Sequence, residues 1–188
     1  LVDIDGDRQI VNYRESLPED AINNISDFPV YDAYLSDSRW SEAAIATLSL
    51  ARKYKKPGVL DAEAPVSQHA VEIASHVAFS KQGLKHFTNK DDLMASLKVI
   101  KNDFNSWACV TDGPNGVYFL EEGALHNLPT PRIKAEDTLG AGDVWHGAFA
   151  VCLAEGKSER EAIKFSNLAA AIKCTRFGGQ SSIPTRRE

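Results

Sequence analysis

The chain has 188 residues, 43% of them hydrophobic and 25% charged, with a formal net charge of −5. That is enough chain for one substantial core, and the ordinary globular balance excludes wholesale disorder. A negative balance without a Lys/Arg block excludes nucleic acid as the expected partner, and no apolar run nears the roughly 20 residues that span a bilayer.

In chain order, LVDIDGDRQIVNY reads as a β-hairpin that turns at Asp5-Gly6, with alternation resuming at Ile10-Val11. No Met opens it and no secretory signal is visible, so residues are expected before Leu1. The hairpin, residues 1–15, is expected to belong to a small separate sheet, and 16–188 to one α/β domain. Residues 31–37 read as a short buried strand. Ala44, Ile45, Leu48, Ala51 and Tyr54 then fall at helical spacing, and Pro57-Gly58 stops the helix. Strands are expected at 58–63 and 76–80, an amphipathic helix at 91–104 and a strand at 107–111. A hairpin over 116–129 follows. Two helices close the chain: one begins at Ala141, and the other opens with a capping box, Ser158 answered by Glu161. Gly178 and Gly179 end the second.

Strands alternating with helices imply a parallel sheet covered on both faces, with ligands at the carboxyl ends of the strands. Asp37, Asp61, Glu63, Ser80 and Thr111 all fall at such ends and should share one rim. Cys109, Cys152 and Cys174 are widely spaced among apolar residues and read as reduced core thiols of a cytoplasmic protein. The five histidines show no metal-ligand spacing.

Two nucleotide signatures fail. Gly156-Lys157-Ser158 resembles the tail of a Walker A loop, but the Gly required five residues earlier is Val151. Gly140 and Gly142 match the start of a dinucleotide fingerprint, but Trp145 stands at its third glycine. The stretch DTLGAGD, residues 137–143, has its own logic. Gly140, Ala141 and Gly142 leave backbone N–H donors approachable at a helix start, where unpaired amides and the dipole favour an anion. Asp143 shares that turn and can accept a hydroxyl proton while the amides hold charge on a transferred group. Taken alone, Asp143 reads first as a complement to the helix dipole, with Gly140 and Gly142 making the turn.

The whole string followed by an apolar helix resembles the C-terminal signature of the PfkB/ribokinase family of carbohydrate kinases. VTDGPNGVYF resembles that family's ATP-bearing strand–turn–strand, and FSNLAAAIKCTRFGGQSSIP its last stretch. The resemblance runs over essentially the whole chain. It implies a ribokinase-like three-layer α/β/α fold with a mostly parallel sheet and the remnant of a β lid. It also implies an ATP- and Mg²⁺-dependent transfer of phosphate to a sugar hydroxyl. Asp143 would then be the base, and Gly140, Ala141 and Gly142 the anion hole. Thr111, Gly113 and Gly116 would lie along the nucleotide, and Asn167 near the adenine. Asp137, Leu139, Lys173, Arg176, Gly178 and Ser182 match positions that hold a monovalent cation, K⁺, in ribokinase-like members. A homodimer through lid strands is common among relatives.

Where many members carry Asn-x-x-Glu near the metal, Ser80–Gly83 reads SKQG, so metal handling falls to water or to Asp61 and Glu63. The family's N-terminal Gly-Gly segment and sugar-binding Asp have no counterpart within the sequence. Residues 10–13, 36–40, 76–84 and 173–184 resemble most the sulfofructose kinase branch. There Asn12 and Arg39 would meet the sugar's anionic tail, a good match for a guanidinium fork. Read without the resemblance, Arg39 is equally a surface ion pair and Asn12 a strand-end polar residue. A kinase for fructose, another ketohexose or a 2-keto-3-deoxy sugar acid stays open, as does a non-catalytic nucleotide- or sugar-binding relative.

Overall fold

The computed structural model describes residues 28–104 and 106–188, together with Ile22 and Ile25. The hairpin expected over residues 1–15, with Asn12 and the dimer contact attached to that hairpin, lies outside the described residues. Six strands form one sheet in the order β1 to β6: Tyr34–Asp37, Gly58–Ala62, His76–Ser80, Trp107–Thr111, Val117–Glu121 and Ala124–Leu128. The first four run parallel, and β5 and β6 return antiparallel. Glu122 and Gly123 both take positive φ, 51° and 82°, in the two-residue turn that joins them, as a tight hairpin requires.

The alternation of strand side chains builds the layers. Leu60, Val77, Phe79 and Val110 face one way and meet α1 (Ser41–Tyr54), α2 (Gln68–Ile73), α3 (Lys81–Thr88) and α4 (Leu93–Val99). Their neighbours Val59, Ala78 and Cys109 face the other way, against α5 (Ala141–Ala154) and α6 (Glu159–Cys174). The result is the expected three-layer α/β/α arrangement with a mostly parallel sheet. Among the described residues, no helix is long and apolar enough to cross a membrane.

Two short helices escape the periodicity reading. Ser67 caps α2, and Ser80 caps α3 by accepting the Gly83 N–H at 3.0 Å. Gly83 is a glycine for a packing reason: a Cβ there would stand 2.1 Å from the carbonyl oxygen of Ala62. The expected helix over 91–104 is α4, which widens into a π turn over Ile100–Phe104. In α6 both halves of the capping box at Ser158 and Glu161 form.

Candidate active site

The parallel strands deliver the acids and hydroxyls to one rim. Asp37 and Asp61 are register partners on β1 and β2, as Ser80 and Thr111 are on β3 and β4. The Ser80 hydroxyl accepts the Gly83 N–H of its helix cap and keeps its own proton to donate, and the Thr111 hydroxyl donates to the Phe79 carbonyl at 3.3 Å.

Helix α5 begins directly beside this rim. Gly140 is its N-cap at φ 76°, and its carbonyl accepts the first helical bond from Val144 N–H at 3.0 Å. The Ala141 N–H turns back to the Thr138 carbonyl at 3.2 Å. Gly142 is exposed, with nothing within 4 Å of the place a Cβ would occupy. A ligand can therefore approach the first-turn amides, which as in any helix have no acceptor within the helix. Asp143 lies exposed in the same turn, with Oδ2 3.7 Å from the Cβ position of Gly140.

A cavity of about 670 Å³ brings together Thr111, Gly113, Gly116, Ala141, Gly142 and Asn167. Gly140 and Asp143 stand on the border of a second cavity of about 630 Å³. In the first cavity, Gly116 adopts φ 89°, and a Cβ would lie 2.2 Å from the Leu128 carbonyl oxygen. Gly113 carries φ 49°, and its carbonyl accepts the Thr130 hydroxyl at 3.0 Å.

Asn167 is buried, and its polar atoms face the protein. Its carbonyl accepts the Trp145 indole N–H at 2.8 Å, and its amide donates to the carbonyls of Leu128 and Pro129 at 3.1 and 3.2 Å. With both amide hydrogens used, it has no donor left for a base. It holds the end of β6 and Trp145 in place as the cavity wall. Replacing Asn167 by Leu orphans the buried Trp145 N–H and removes a donor from two part-buried carbonyls, and is expected to cost about 1–3 kcal/mol, to be measured by urea unfolding. Trp145 was not legible as its partner, since the two are 22 residues apart.

His146 follows Trp145 on α5. Its Nδ1 lies 2.8 Å from the Gly142 carbonyl and 3.4 Å from Asp61 Oδ2. The carbonyl contact requires Nδ1 to carry a proton. Nε2 is buried with no hydrogen-bond partner among the described residues. Burial raises the Asp61 carboxyl above the usual carboxylate range; His146 opposes this, and Glu63, Asp143 and Asp37 reinforce it. An acidic cluster thus adjoins the N-terminus of α5. One polar ring in an apolar helix was the sequence signal for His146.

Arg39 stands at the β1 end of the rim. Its backbone N–H donates to Asp37 Oδ1 at 3.0 Å, and its guanidinium, in a side chain 56% exposed, lies 3.6 Å from Glu63 Oε2.

The six residues matched to a monovalent-cation loop converge, with an ammonium among them. Asp137 Oδ1 accepts the Leu139 N–H at 2.9 Å and Oδ2 the Gly178 N–H at 3.1 Å. Lys173 Nζ donates to the Asp137 backbone carbonyl at 3.0 Å and lies 3.5 Å from Oδ2. The two backbone N–H groups, then the ammonium, hold the Asp137 carboxyl below the usual range. The Lys173 carbonyl accepts the Arg176 N–H at 3.3 Å, and the Gly178 carbonyl is met by the Ser182 hydroxyl. A second cation about 4 Å from that ammonium would be opposed by about 4 kcal/mol at an effective dielectric of about 20. The donor set does not fit a further monovalent cation.

Among the described residues, no cluster of three or more His, Cys, Asp or Glu is arranged to hold a metal ion. Mg²⁺ at nucleotide sites uses one or two carboxylates with the phosphates, and Asp61 and Glu63 at the end of β2 fit that lighter demand.

A mostly parallel sheet with a glycine-lined cavity opening on a helix N-terminus is an arrangement in which α/β proteins accommodate anions. The family model of the pfkB family carbohydrate kinases matches residues 1–186, and the chain belongs to that family. It is 40% identical to a ribokinase of Bacillus subtilis over 79 residues, 42% of this chain and 27% of the relative. It is 44% identical to a ribokinase of Haemophilus influenzae over 79 residues, 42% of this chain and 26% of the relative. The crystal structure of a ribokinase from Thermotoga maritima superposes with TM-score 0.76 at 27% identity, covering 99% of this chain and 65% of that one. The chain therefore spans only part of the length of the relatives it matches.

Proposed function

We propose that the protein is an ATP-dependent sugar kinase. The observation that carries this reading is the cavity running from Thr111, Gly113 and Gly116 to Gly142 at the start of α5, with Asp143 in the same turn. The nucleotide lies in that cavity with its γ-phosphate toward the Gly142 N–H. The sugar hydroxyl gives its proton to the Asp143 carboxylate as its oxygen bonds to phosphorus. The bond from phosphorus to the bridging oxygen breaks, and ADP leaves with the electron pair. The α5 amides hold the charge that spreads over the transferred group, the chief demand of phosphoryl transfer. Mg²⁺ bound with the nucleotide offsets phosphate charge, and Asp61 and Glu63 would hold it.

The sugar carries an anionic tail, as in 6-deoxy-6-sulfofructose, and Arg39 receives it. The support is a half-exposed guanidinium at the rim, held only loosely by Glu63. That same ion pair favours the second reading, a neutral ketohexose or a 2-keto-3-deoxy sugar acid, in which Glu63 keeps Arg39 occupied. ADP release over sulfofructose, fructose 6-phosphate, fructose, ribose and 2-keto-3-deoxygluconate tests the choice. Arg39→Ala is expected to lose activity on sulfofructose and fructose 6-phosphate alone, by about tenfold or more. A variant that matches the wild-type rate on every sugar of the panel would remove Arg39 from substrate recognition.

A further inference from the structure

We propose that the ammonium of Lys173 is a built-in monovalent cation, which makes this kinase independent of added K⁺. The proposal rests on the kinase reading above. Lys173 sits near the end of α6, and only 1% of it is exposed. Burying an ammonium is costly unless it is paired and hydrogen-bonded. Among the described residues, Asp137 meets that cost through its backbone carbonyl and its carboxylate.

The position is what gives the charge a function. Asp137 begins the turn that ends in Gly140, Ala141 and Gly142. Its carboxylate holds the Leu139 N–H from one side and the Gly178 N–H from the other, while the N–H groups of Glu136 and Asp137 donate to the Cys174 carbonyl at 2.8 and 3.3 Å. The ammonium lies within this joint between the anion-hole turn and the end of α6. A mobile cation there would fix the turn only when bound. A tethered one fixes it in every molecule, so the first-turn amides of α5 are set without an ion from solution. The carboxylate already has its counter-charge, and the Lys173 and Gly178 carbonyls already have donors. Lys173 is thus a positioning residue acting through the turn.

The test uses the protein at its native length, in about 100 mM KCl or the same ionic strength of tetramethylammonium chloride. Wild-type ADP release and melting temperature are expected to be equal in the two salts. Lys173→Ala, which empties the place, is expected to lose about tenfold or more in kcat without K⁺, and to recover rate and melting temperature in K⁺ or NH₄⁺. Lys173→Met, which fills the place without charge, is expected to be slow in every salt. A wild-type rate raised about tenfold by K⁺ would overturn the proposal, as would a Lys173→Ala variant that works normally without K⁺. If Lys173→Ala fails to fold, the wild-type comparison decides alone. If no sugar is phosphorylated, the kinase reading fails, and ATP affinity and melting temperature in the two salts still decide the role of Lys173.

Discussion

Asp143→Asn is expected to lower kcat by about 10²- to 10⁴-fold, the range for removing a positioned general base. The affinity for ATP should stay nearly unchanged, because the variant keeps the amides of α5 and the cavity walls at Thr111, Gly113 and Gly116. The substitution preserves size beside Gly140, where the carboxylate stands 3.7 Å from the glycine's Cβ position. It leaves an amide that cannot take the hydroxyl proton at neutral pH. Coupled ADP release for rate, and calorimetry for ATP affinity, separate the two effects. Near-normal kcat would return Asp143 to the role of a helix-dipole complement. ATP binding with no transfer by the wild-type protein would favour the non-catalytic relative.

Gly116→Ala is expected to be the most damaging small substitution in the cavity. Its φ of 89° disfavours any side chain, and the new Cβ would lie 2.2 Å from the Leu128 carbonyl oxygen and 2.7 Å from Pro129 Cα. Both obstacles are backbone and cannot swing away. Strain and overpacking together come to about 3 kcal/mol or more, roughly a 6–12 °C fall in melting temperature. Gly113→Ala, three residues earlier, is the control: φ is 49°, but nothing lies within 4 Å of the new Cβ. It should cost only about 1–2 kcal/mol, the price of the left-handed backbone alone. Equal losses in denaturant unfolding would show that close packing against β6 is not what requires Gly116.

The contrast between these glycines marks how far the residues themselves could be read. That both sit in a turn was legible from DGPNG; that one of them presses on β6 was not, because the contact joins residues 12 apart and depends on hairpin register. The long helices were legible because α6 announces its start with Ser158 and Glu161 and α5 carries a long apolar run interrupted by His146. Helices α2 and α3 were not, since six and eight residues hold too few apolar positions to show a period. The rim acids followed from strand ends alone. Two site residues changed character in the fold. Asn167 gives its hydrogen bonds to Trp145 and the end of β6 instead of a ligand. Lys173 was expected only as a position matching the monovalent-cation loop. Only Asp137, brought against it from 36 residues away, makes it a buried charge.

Transfer of label from γ-labelled ATP in a single turnover, with the protein at its native length and a sugar from the panel, tests the central claim most directly. The account predicts label on a sugar hydroxyl, formed as fast as ADP appears and lost in Asp143→Asn. ATP that binds but never yields labelled sugar, or label that goes only to free phosphate, would contradict it.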